Sequence, residues 1–298
     1  THCNFPQVEA DKSVGDRPLN NVAFDYEKLQ IDWYNKWLKN EDNGVADRPF
    51  LTYYIMGEDR WRTSDQWPLK GTEYVRWYID HLSKANSLSG DGLLRLTKPL
   101  ELKEDSFVYD PYDPVPSLGG HTCCTGTETE AGGYDQTAIE NRKDVLIYTS
   151  SSLEEGVEVT GLLKARLFVT SSAKDTDFTV KLVDVYPNGK AFNVQEGVVR
   201  MRYHKSLRKE SLIIPGKIYE IEVDLNATSN YFAEGHKIRV EISSSNFPRI
   251  ERNLNTGESN YLGTTFVKAT NKVLIGGEYA SYIELPIIRR DKKVLDAM

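Results

Sequence analysis

Residues 219–242 read YEIEVDLNATSNYFAEGHKIRVEI. Tyr219, Ile221, Val223 and Leu225 alternate with Glu220, Glu222 and Asp224. After the turn signal Glu234-Gly235 the alternation returns, with Ile238, Val240 and Ile242 set against Lys237, Arg239 and Glu241. Successive side chains of a strand point to opposite faces, so a period of two describes a ribbon with one apolar and one polar face. The same signature lies upstream. Leu163, Ala165, Leu167 and Val169 share a face opposite Lys164 and Arg166, and Phe178, Val180 and Leu182 alternate with Thr179 and Lys181. Pro187-Asn188-Gly189 and Pro215-Gly216 punctuate these runs as turns. Many half-buried antiparallel strands at this spacing predict a mainly β fold, a jelly-roll β-sandwich.

One stretch breaks the pattern. Asp110–Val145 reads DPYDPVPSLGGHTCCTGTETEAGGYDQTAIENRKDV. Its prolines fix φ and its glycines open positive φ, so it is irregular backbone. Its length far exceeds the usual connection of roughly 4–6 residues, and such loops are usually functional or disordered. Disorder fits poorly, because the loop ends in a dense polar cluster, Asp135-Gln136 and Glu140–Asp144, that leads directly into an apolar strand, Val145–Tyr148. The loop reads as a shaped surface presented by the β scaffold.

Toward the N-terminus the period changes. Phe24–Asn40 predicts a helix, with Leu29, Trp33 and Trp37 at i, i+4 and i+8, Asp25 as its cap and Asn43-Gly44 as its stop. A stripe with two tryptophans predicts core packing. Strands follow at Phe50–Met56 and Tyr74–Leu82, then a turn-rich loop at Ser83–Gly92. All five tryptophans lie between Trp33 and Trp77 and are expected to weld the N-terminal segment to the β domain.

Composition excludes several classes. With 37 basic against 44 acidic residues in 298, net −7, there is no basic field for nucleic acid. No apolar run approaches the ~20 residues of a membrane span. Cys3, Cys123 and Cys124 carry no zinc-site spacing, and an odd count leaves at least one thiol unpaired. Nothing points to a cofactor or a resident metal. The compartment and any homo-oligomer stay open.

The junction stretch closely resembles that of the cocaine esterase-like (CocE/NonD) serine hydrolases, whose pattern D-P-x-x-P-V-P-S-x-G-G, a variable loop, then D-Q-x-x-I-E-x-R-x-D-V-L is matched from Asp110 to Leu146. Met56-Gly57 with Trp61 and Trp67-Pro68, Asp175-Thr176-Asp177-Phe178, Gly235-His236-Lys237-Ile238-Arg239 and Ser243–Pro248 also resemble family segments, in order. The resemblance implies that residues 1–45 are the tail of an α/β-hydrolase domain and residues 46–298 a C-terminal jelly roll. Thr1-His2 would end the family's G-P-W-[ST]-H motif, making His2 the catalytic histidine. Gly119, Gly120, His121, Thr122, Cys123 and Cys124 would line the pocket for the acyl or leaving group. The chain would be a fragment whose catalytic serine and aspartate lie upstream, on a missing N-terminal hydrolase part, and its substrate a small-molecule or peptide ester or amide.

The residues agree with that division of labour. No G-x-S-x-G is present; Ser117 comes closest but lacks the first glycine and a following helix, and reads as a decoy. Asp175 and Asp177 read as strand-entry caps, since no further acidic ligands stand near enough in sequence for calcium. His236 reads as a buried histidine satisfied by hydrogen bonds. The alternative is a non-catalytic jelly-roll module that binds carbohydrate or a protein partner, because such folds host many functions.

Overall fold

The computed structural model of the chain describes residues 15–122 and 129–289. It opens with a helix, α1 (Tyr26–Lys39), and a hairpin of β1 (Leu51–Ile55) with β2 (Arg60–Ser64). Asp25 caps α1 as expected, its carboxylate accepting the Lys28 N–H at 2.8 Å. The stop comes at Asn40, in the left-handed conformation at φ 57°, ahead of Asn43-Gly44. The expected burial of the tryptophan stripe does not hold. None of α1's residues is buried, and Trp33 and Trp37 are 52% and 58% exposed. Their indoles lean on one another, 5.7 Å apart, over a groove of about 870 Å³ toward Phe24, Phe50 and Trp61. Nothing among the described residues covers that face.

The β domain follows: β3 (Thr72–His81), β4 (Gly92–Arg95), β5 (Lys103–Tyr109), a single helical turn α2 (Thr137–Glu140), β6 (Leu146–Thr149), β7 (Val157–Ser171), β8 (Asp177–Val185), β9 (Ala191–Arg200), β10 (Tyr219–Phe232), β11 (Lys237–Ser243), β12 (Ala269–Ile275) and β13 (Tyr282–Ile288). Their order is β5-β12-β7-β13-β3-β4-β6-β11-β8-β9, with β10 on the free edge of β7. The long β7 is the hub: β10 pairs along it from Val157↔Phe232 to Val169↔Tyr219, while its other edge is shared by β13 and β12. The ribbon folds over, and its inner faces close on one core that holds Leu163, Leu167, Phe178, Val223, Ile238 and Ile242. Each such side chain contributes roughly 1.5–3 kcal/mol by leaving water. The jelly-roll sandwich read from the period of two is the fold observed.

The outer face of β8 departs from that period. Every residue of β8 is buried, Lys181 and Thr179 included. The strand is covered on both faces: by the core on one, and on the other by the loop between β5 and β6.

Candidate functional site at the junction loop

The loop is fastened to the sandwich at its root. Val115, Ile139, Val145 and Ile147 form a small apolar cluster of their own. Phe247 N–H donates to Val115 O at 2.9 Å and Ser117 N–H to Phe247 O at 2.7 Å, which stitches the loop's first limb to the segment after β11. Gln136 N–H donates to Ala191 O at 2.7 Å, and its side-chain amide reaches Leu118 O at 3.0 Å, tying the two limbs together.

Above the root, Gly120 and Gly132 exchange backbone hydrogen bonds at 2.8 and 2.9 Å. Gly120 needs its glycine: φ is +100°, and a Cβ there would stand 2.1 Å from Glu196 Oε1. Gly119 is similarly tight against Gly132 O. One residue further, Gly133 O accepts the Arg17 N–H at 2.9 Å, and Gly15 bridges to Gly133. The loop is therefore bonded directly to the N-terminal segment.

Arg17, which sequence reasoning did not single out, secures that contact. Its guanidinium is 2% exposed; Nη2 donates to Asp184 Oδ2 at 3.0 Å and to Asn230 Oδ1 at 2.8 Å, and Nε to Tyr186 Oη at 3.3 Å. Asp184 Oδ1 meets His236 Nδ1 at 2.8 Å, so His236 is a hydrogen-bonded histidine with 14% of its side chain exposed, close to the buried one read from sequence.

Between loop and segment lies a cavity of about 420 Å³. Arg17, Leu19, Tyr54 and Met56 form one wall, Gly120 and His121 another, and Asn193–Glu196 with Ala227–Ser229 the floor. His121 Nε2 accepts from Arg249 Nη2 at 2.8 Å, which places its proton on Nδ1. Partial desolvation, then the neighbouring Arg249 cation, hold its pKa below the ordinary histidine range. At neutral pH it is an uncharged acceptor. Arg249 Nη1 makes a close ion pair with Glu196, whose Oε2 accepts from Asn246 Nδ2 at 2.7 Å. Thr122 is buried, its hydroxyl 3.3 Å from Thr129 O. His2, Cys123 and Cys124 lie outside the described residues. Ser117 Oγ accepts the Arg249 N–H at 3.1 Å, and among the described residues no histidine is bonded to it as the base a nucleophile requires.

Beneath α2 runs a buried polar layer that sequence reasoning also missed. Lys181 stands opposite Glu241 on β11 and Glu196 on β9. Lys181 Nζ donates to Gln136 Oε1 at 3.0 Å, and Arg239 Nη1 to Glu140 Oε2 at 2.6 Å. Period-two alternation assigns Lys181 and Glu241 to a solvent face; the loop converts that face into a second interior. The aspartates of Asp175-Thr176-Asp177 likewise depart from the capping expectation. Both are buried: Asp175 pairs with Arg202 at 2.7 Å, Asp177 with Arg200 at 2.9 Å, and Asn253 Nδ2 donates to both. Burial raises the Asp177 pKa above the usual range despite the arginine.

The arrangement among the described residues offers shape, a neutral imidazole and buried cations, with no nucleophile paired to a base. Comparison with known proteins agrees. Residues 43–284 match the family described as the X-Pro dipeptidyl-peptidase C-terminal non-catalytic domain. Over 295 residues the chain is 44% identical to cocaine esterase from Rhodococcus sp. (strain MB1 Bresler), spanning 97% of this chain and 50% of that one. A crystal structure of an aminopeptidase from the marine sediment archaeon Thaumarchaeota archaeon superposes with a TM-score of 0.78 at 27% identity, over 92% of this chain and 47% of that one. An α-amino acid ester hydrolase superposes with a TM-score of 0.74 at 23% identity, over 90% and 46%, a likeness of fold. The chain thus spans about half the length of these relatives. With its match over residues 43–284, the chain belongs to the X-Pro dipeptidyl-peptidase C-terminal non-catalytic domain family and corresponds to the C-terminal part of the CocE/NonD-type hydrolases.

Proposed function

We propose that this chain serves a serine hydrolase that cleaves an ester or amide acyl bond, with the catalytic serine and aspartate on an α/β-hydrolase part outside it. Residues 1–45 act as the tail of that catalytic part and residues 46–298 as its jelly-roll companion. His2 is the general base that takes the serine's proton and returns it to the leaving group. Gly119, Gly120, His121, Thr122, Cys123 and Cys124 rim the substrate pocket, where they select by shape rather than by bond-making.

The observation that carries this reading is the pairing of Gly133 with Gly15 and Arg17. It sets the loop that rims the pocket against the segment assigned to the hydrolase, with a cavity between them. The groove beside Trp33 and Trp37 supplies the second support, since an exposed aromatic face of this kind marks an interaction surface. We assign it to the catalytic part.

The test is reconstitution. The chain alone should neither hydrolyse activated esters nor be labelled by a fluorophosphonate. Supplying the catalytic part, fused or as a separate protein, should give turnover that His2→Ala abolishes. Labelling of the lone chain at Ser117, or turnover that Cys123→Ala removes, would overturn the reading.

A further inference from the structure

Two carboxyl groups meet beneath the root of the junction loop, one on α2 and one on β11. Glu140 is fully buried; Oε2 is taken by Arg239 Nη1 at 2.6 Å, while Oε1 is inaccessible and has no hydrogen-bond donor among the described residues. Glu241 is 3% exposed; its Oε2 lies 3.8 Å from Lys181 Nζ, beyond hydrogen-bonding distance, and its Oε1 is also inaccessible and without a donor among the described residues. Arg239 and Glu241 stand two residues apart on β11 with their side chains on one face, and Arg239 holds Glu140, which sets the two carboxyl groups side by side. Two ionised carboxylates cannot satisfy one another, and an orphaned buried acceptor costs roughly 1–3 kcal/mol, more when charged. One proton between them satisfies both groups. The surrounding charges agree. Lys181 gives its hydrogen bond to the neutral amide of Gln136, Arg239 is engaged by Glu140, and Glu196, opposite Lys181, is engaged by Arg249 and Asn246. Ile147, opposite Glu241 on β6, brings no charge.

We propose that Glu140 and Glu241 share one proton at neutral pH and are positioning residues, holding the root of the junction loop on the sheet through a carboxyl–carboxylate hydrogen bond. Its bearing on substrate selection rests on the proposed function; the shared proton itself is a property of this chain alone. Desolvation is the largest cause of an upward shift in Glu241, opposed by Lys181 and reinforced by Glu140. The folded chain therefore keeps a proton that the opened chain has already released. Stability of the loop root falls as pH rises from the ordinary glutamate range to the raised folded value, and levels off above it.

The experiment uses the whole chain with its glutamate side-chain carboxyls labelled with carbon-13, followed by NMR through a pH titration. One resonance should keep the chemical shift of a protonated carboxyl at neutral pH, and Glu241→Gln should remove it. Hydrogen exchange supplies the positioning readout. The protection factors of the Gln136 and Glu140 amides, corrected for intrinsic exchange, should fall by about tenfold per pH unit across that window, the slope for one released proton. Glu241→Gln, which can donate to Glu140 in place of the proton, should retain protection at neutral pH and lose the slope. Should it fail to fold, Glu140→Gln makes the same test from the other side. Full ionisation of every glutamate at neutral pH, or a slope that survives in the folded variants, would overturn the proposal without touching the reconstitution result.

Discussion

Arg17 is the residue on which most depends and the one least visible in the sequence. It sits in a short polar run, Gly15-Asp16-Arg17-Pro18, and its ion-pair partner Asp184 is 167 positions away. No local pattern marks such a pair, because its partners converge only once the sandwich has formed. Glu196, Arg249 and Lys181 are hidden for the same reason. His236 was legible because a histidine inside an apolar alternation must find a partner. Removing the Arg17 cation leaves Asp184 buried with the His236 imidazole as its remaining side-chain partner among the described residues. Arg17→Met should cost roughly 3–5 kcal/mol, the range for breaking a buried pair from one side. Asp184→Asn should relieve part of that loss when combined with it. Denaturant midpoints for the two single variants and the double variant read out the coupling.

At the scale of the element, period and caps were readable and cover was not. The Asp25 cap of α1 and the alternation of β7 and β10 appear as expected. A periodic stripe states which side of an element is apolar; it does not state what lies against it. Hence α1's tryptophans, expected in a core, stand exposed, and β8's Lys181, expected in water, is buried. The stability consequence follows from exposure. Trp33 keeps about half its surface in water in this chain, so Trp33→Ala should shift unfolding by less than about 1 kcal/mol, well below the 3–5 kcal/mol of a fully buried tryptophan. Denaturant unfolding checks the value. The same substitution should weaken association with the proposed catalytic part, read by calorimetry.

At the scale of the molecule, the N-terminal segment is held at two places with a bulge between them. One is Arg17. The other is Met56, whose N–H donates to Ser229 O at 3.1 Å and whose carbonyl accepts from Tyr231 at 2.8 Å, beside β10. Between these points α1 stands away from the sandwich with no buried residue. Limited trypsin digestion should therefore cut first at Lys28, Lys36, Lys39 or Arg48, leaving the β domain intact, as mass spectrometry of the early fragments would record. Early cuts within β7 to β11 would contradict this. The fold class could be read from sequence at this scale because it depends on the sum of many strands, and the errors of single elements cancel.

The reciprocal Gly120–Gly132 pair has a consequence for how such a protein diversifies. It closes a ring at the base of the excursion between them, while everything that registers the strands lies on the other side of that ring. Lengthening a loop costs little, about 0.6 kcal/mol for each doubling, and a ring closed at its base passes no change of length to the sheet beneath. The residues between Thr122 and Thr129 can thus be inserted, deleted or exchanged as an interchangeable cartridge in a fixed socket. A lineage can vary the tip of this loop without renegotiating how the domain folds.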